Sequence, residues 1–169
     1  MKNLLIGVLI IALINGVYFY AMPKKEMEEL EGKIGAFYSQ DISNFYRLFA
    51  EISRVDWLTA NLHENELDLY ISNLQNNDSP LWDLSYEGEL IYQEINQIKD
   101  WMTILRDGGS LTVEEKEALT NNAYHLYLMM EDLNIEIKDN RQLYKGMSEG
   151  DKLMKEIVME NMKSIIQLK

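Results

Sequence analysis

Between Lys2 and Lys24 the chain carries no charged side chain for twenty-one residues, and Leu4 to Met22 is almost wholly apolar. As a helix rising about 1.5 Å per residue, that stretch spans roughly 28 Å, close to the hydrocarbon thickness of a bilayer. So long an uncharged run is seldom built into a soluble fold. Residues 1–23 therefore read as a transmembrane signal anchor, with membrane lipid held through residues 4–22. Cleavage as a secretory signal needs small residues three and one before the cut. Phe19, two before Ala21, and Ile14, two before Gly16, break that pattern, and the absence of cysteine excludes a lipoprotein cleavage site. Tyr18, Phe19 and Tyr20 fall at the far end of the run, where amphipathic rings favour the headgroup layer, and Pro23 marks the exit.

Orientation rests on two opposed signals. Lys2 stands on one side of the run, and Lys24, Lys25 and Lys33 stand on the other, so a count of cations leans against export of the C-terminal part. A very short positive tail ahead of an apolar run usually exports the remainder. On that layout residues 24–169 are expected outside the cytoplasm, in a single-pass cell-membrane protein.

This second part is long enough for one domain with its own core. It holds 28 acidic and 15 basic residues, a net charge of −13. Such a balance opposes nucleic acid and anionic lipid, whose phosphates are recognised by Lys and Arg. It fits a solvated acidic face on a helical domain. The lack of cysteine removes disulfides and thiolate chemistry and is compatible with either compartment.

The apolar spacings are helical throughout, and no strand-like alternation of useful length occurs. A long first helix is expected over residues 24–62. Met27, Leu30, Ile34 and Phe37 form one stripe; Tyr38, Ile42, Phe45, Phe49 and Ile52 continue it on a slightly rotated line, as a stutter in a heptad pattern. A short helix over 64–75 carries Leu67, Ile71 and Leu74. Ser79-Pro80 reads as a cap and first helical position for a helix over 80–107, whose stripe runs Leu81, Leu84, Gly88, Ile91, Ile95, Ile98, Met102 and Leu105. Gly108-Gly109 ends it. Thr112-Val113-Glu114-Glu115 is a capping box opening a helix over 113–140, with Leu119, Ala123, Leu126, Met130, Leu133 and Ile137 on one stripe. A last amphipathic helix over 151–168 turns Met154, Val158, Ile165 and Leu168 inward. The expected fold is all-α: a transmembrane helix, then an antiparallel bundle of four to five helices.

Familiar catalytic patterns are missing. A di-iron bundle needs Glu-x-x-His pairs, but Asn122 and Ala60 precede His125 and His63 by three. His63-Glu64-Asn65-Glu66 lacks the second His of a zinc-protease helix and reads as a helix start. His125 reads as a packing residue. Glycine-rich phosphate loops and nucleophile elbows are absent, and no pair among the 28 acids is singled out for glycosidase work. The sequence therefore names no catalytic, cofactor or metal residue. Trp57, Trp82 and Trp101 are the candidate partner-contact aromatics, with core packing as the plainer alternative.

Thr103-Ile104-Leu105-Arg106-Asp107, Pro80-Leu81, Leu111-Thr112 and Glu131-Asp132-Leu133-Asn134-Ile135-Glu136-Ile137, following an anchor and a long first helix, resemble the N-terminal region of YpeB-type spore germination proteins. The likeness covers residues 1 to about 140. It implies a membrane-anchored partner of a cortex-lytic enzyme. The PepSY-like C-terminal modules of that family do not follow within these 169 residues, and no functional residue carries over.

The sequence thus favours a non-catalytic, membrane-anchored protein whose extracytoplasmic bundle binds another envelope protein. A ligand-sensing bundle that takes a small molecule or peptide beside its tryptophans is the alternative, and an envelope hydrolase is a third. Stripes such as Leu81–Leu105 serve a homo-oligomer as readily as an internal core.

Overall fold

The computed structural model of the protein describes residues 24–60, 62–76, 85–137, 139–146, 148 and 152–168. The anchor, its interface aromatics Tyr18, Phe19 and Tyr20, the Ser79-Pro80 cap and Trp82 lie outside these residues. Among the described residues no helix is long and apolar enough to cross a membrane.

Six helices and no strand occur among the described residues. They are α1 (Lys24–Ile52), α2 (Glu64–Asn76), α3 (Tyr86–Arg106), α4 (Val113–Glu136), α5 (Asn140–Lys145) and α6 (Lys152–Met162). Helix α1 packs along α4 and α5, α2 lies on α3, and α6 rests on α4 and α3. The α-helical class expected from the spacing is what forms.

The caps explain why the central hairpin starts and stops where it does. Ser85 is in extended conformation and its Oγ accepts the Gly88 N–H at 3.0 Å, so Ser85 is the N-cap and α3 begins at Tyr86. At the other end Gly108 adopts φ +78°. Gly108 N–H then donates to Leu105 O at 3.2 Å and Gly109 N–H to Ile104 O at 2.9 Å. This is the Schellman arrangement, open to glycine because its φ is positive. Three residues on, Thr112 Oγ1 accepts the Glu115 N–H at 3.1 Å while Glu115 Oε2 accepts the Thr112 N–H at 2.7 Å. The capping box is complete.

Three helices are shorter than their apolar spacing suggests, each for a local reason. Helix α1 ends at Ile52 rather than near residue 62, because Trp57 folds back and its indole N–H donates to Ile52 O at 3.1 Å. Asp56 then accepts from Leu58 N–H and Thr59 Oγ1, a polar turn that competes with helix. Helix α4 stops at Glu136, and Asp139 restarts the chain as α5 by accepting the Arg141 N–H. Helix α6 stops at Met162, so Ile165 is buried while Leu168 is 43% exposed, not inward.

The core is one cluster. Tyr38, Ile42, Phe45, Phe49 and Ile52 of α1 meet Leu119, Ala123, Leu126, Met130 and Leu133 of α4, with Ile91, Ile95, Ile98 and Met102 from α3. Phe45 and Phe49 stack at 5.7 Å, and Tyr46 of α1 lies 5.1 Å from Tyr127 of α4. At Gly35 α1 and α5 approach so closely that an added Cβ would collide with the Asn140 carbonyl. Arg141 fastens the same contact, its Nε donating to Glu31 Oε2 at 2.6 Å with Glu28 3.4 Å away.

Candidate functional site

Helix α3 has two working faces. One is the apolar stripe Ile91, Ile95, Ile98 and Met102, which enters the core. The other runs Tyr86, Leu90, Glu94, Gln97 and Trp101, again at spacings of three and four, with Gln93 beside it, and forms one wall of a groove of about 600 Å³. Met159, Met162 and Lys163, Ile166 to Leu168, and Glu115 complete its lining. The volume falls in the range of small-molecule sites.

Glu94 is the chemical centre of this groove. It is 5% exposed, and both its oxygens are held by neutral amides. Asn122 Nδ2 donates to Oε1 at 2.6 Å and Gln167 Nε2 donates to Oε2 at 3.3 Å. Burial pushes the Glu94 carboxyl above the ordinary carboxylate range, and these two hydrogen bonds pull partly against it. Among the described residues no Lys, Arg or His pairs with it.

Asn122, with no exposed surface, uses its whole side-chain amide. Besides donating to Glu94, its Nδ2 donates to Ile166 O at 3.1 Å, and its Oδ1 accepts the Ile166 N–H at 2.9 Å. Asn121 Nδ2 adds bonds to Asn122 Oδ1 at 3.2 Å and to Ser164 O at 2.8 Å. Two adjacent asparagines of α4 therefore satisfy the backbone that leaves α6, which is why the last helix does not continue to residue 168.

The tryptophans named from the sequence divide between core and groove. Trp57 is 3% exposed, with its indole satisfied by Ile52. Trp101 is 4% exposed and contributes to the groove wall. Trp82 lies outside the described residues. The structure does not bring Trp57 and Trp101 to one pocket: Trp57 borders a separate cavity of about 180 Å³ with Leu62, Leu67 and Leu105.

The remaining sequence candidates have structural positions. His63 starts α2, its N–H donating to Glu66 Oε2 at 2.9 Å. His125 is half-buried against Tyr124 at 5.6 Å, and its Nδ1 is enclosed without a partner among the described residues. Among the described residues no three His, Asp or Glu side chains gather to hold a metal ion. Glu115, the second acid of the groove, has its Oε2 engaged by the Thr112 N–H.

A second surface stands on α1. Leu30 is 37% and Phe37 62% exposed, seven residues apart, with Met27 and Ile34 half-buried beside them. The first stripe of the heptad pattern is thus only partly covered, with Leu30 and Phe37 open and Ile34 packed against the core, while its rotated continuation fills the core. The chain matches no family model, and neither the curated proteins nor the solved structures provide a match.

Proposed function

We propose that this is a non-catalytic protein, tethered by residues 4–22 to the cell membrane, whose helical domain faces away from the cytoplasm and binds another envelope protein. The single observation that carries the reading is the open stripe Leu30–Phe37 on α1. Apolar side chains seven residues apart, with half-buried neighbours of the same register, present what an amphipathic partner helix covers. Their place in the sequence also supports it: Leu30 follows the apolar run by only a few residues, so the open stripe would stand near the membrane surface. The acids of the groove favour binding over hydrolysis, since one is buried among amides and the other caps a helix. In the YpeB-like version of this proposal, the partner is a peptidoglycan-lytic enzyme.

Two measurements test it. Deleting residues 1–23 is expected to release the protein from the membrane fraction; retention there would refute the tether. Cross-linking in envelope preparations is expected to recover a specific partner with the native chain and to lose it with the double variant Leu30→Ser, Phe37→Ser. Equal recovery by both chains would refute the docking surface, and a product made only of this chain would reassign the stripe to a homo-oligomer.

A further inference from the structure

We propose that the groove between α3 and α6 is a receptor for an organic cation, an ammonium or guanidinium group that enters beside Trp101 and pairs with Glu94. This is independent of any protein docked on α1. A carboxylate in the middle of a helix and 5% exposed is costly unless a cation compensates it, and at Glu94 only two neutral amides reach it. Structural ion pairs elsewhere in the molecule, such as Arg141 with Glu31, join exposed or half-buried partners; the one deeply placed acid of the groove has none among the described residues.

The surroundings of Glu94 select the same ligand. Trp101, two helical turns or about 10 Å further along the α3 face, supplies an aromatic ring that attracts cations on their way to Glu94. Gln93 and Gln97 add amide oxygens suited to N–H donors. Met159 and Met162 add soft apolar lining suited to an alkyl stem. Glu115 adds a second acidic side chain to the lining, against its one cation, Lys163. Lys163 is exposed and makes no ion pair with Glu94, so it acts as a rim charge that competes with an incoming cation. The net charge of −12 on the chain draws cations toward every such opening.

The shared chemistry has two sources, a free amine and a basic side chain of a peptide, and the probes separate them. The full chain in detergent micelles is titrated with n-butylguanidinium, with spermidine, and with an acetylated Gly-Arg-Gly amide, each beside a neutral counterpart: n-butylurea, 1-hexanol and the citrulline peptide. Binding is read by calorimetry and by the ¹³C resonance of the Glu94 carboxyl. The cations are expected to bind at least about ten-fold more tightly than their neutral counterparts. Preference for the Arg peptide over the small cations would assign the ligand to a protein, and the reverse order to a free amine.

Glu94→Gln is expected to keep the Asn122 hydrogen bond, to retain the melting temperature, and to weaken cation binding by at least about ten-fold. Lys163→Met is expected to tighten it. In the native chain a bound cation is expected to lower the pH at which the Glu94 resonance titrates, a readout that needs no variant. Equal binding of charged and neutral probes, unchanged cation binding by Glu94→Gln, or a Glu94 titration that saturating cation does not move would each overturn the proposal.

Discussion

Residues 24–37 and 38–52 belong to one unbroken helix and carry apolar stripes offset by a single stutter, yet they behave as different materials. In the second half Tyr38, Ile42, Phe45, Phe49 and Ile52 are fully covered, because α4 runs alongside them. In the first half α5, only six residues long, reaches the side that carries Gly35 and Glu31 and leaves Leu30 and Phe37 in the open. Helical spacing therefore specifies which side chains share a face. It does not specify whether this chain or another one covers them.

That contrast can be broken or sharpened by substitution. The largest effect is expected from Phe49→Ala, which empties a fully buried site and should cost about 3–5 kcal/mol in urea denaturation. Phe37→Ala, the same deletion one stripe earlier, should stay within about 0.5 kcal/mol of the native chain. Equal losses would show that the two halves do not differ. Next in size is Gly35→Ala, whose methyl meets the Asn140 carbonyl; separating α5 from α1 should cost about 1–3 kcal/mol and raise amide exchange in residues 140–145. Trp57→Phe removes the indole donor that closes α1 at Ile52, for an expected loss of about 1 kcal/mol.

A smaller effect than that of Trp57→Phe concerns Asp41, just after the change of stripe. Burial pushes its carboxyl up to about 6, so the folded protein holds the proton more tightly than the unfolded chain. Its contribution to stability is therefore complete below the ordinary Asp range and is lost as pH rises through about 6. Asp41→Asn should raise the melting temperature at pH 7 and flatten its dependence between pH 4 and 6. With the group half-solvated, the gain should be under about 1 kcal/mol.

Much of this fold is legible in the sequence wherever the determining contacts are local. The Thr112–Glu115 box, the Gly108-Gly109 stop and the core stripes of α3 and α4 involve residues only a few positions apart. Three endings escape because their causes are tertiary or compete with periodicity. Trp57 caps Ile52 only once it is buried, Asp139 interrupts an apolar pattern that otherwise runs on to Ile137, and residues 164–166 leave the helix for side chains 43 and 44 positions away. The groove is hidden for another reason. Its α3 face is built of Gln93, Glu94 and Gln97, which a search for apolar stripes assigns to solvent. The one local signal is Glu94 itself, an acid followed by Ile95 and flanked at four and seven residues by Leu90 and Trp101.

Asn122 grips residue 166 by its main chain alone, in the way one β-strand holds another, and takes no account of what side chain that residue bears. Replacing residue 166 by any residue with a backbone N–H keeps both partners of this clasp, whereas Asn122→Ala removes both bonds at once.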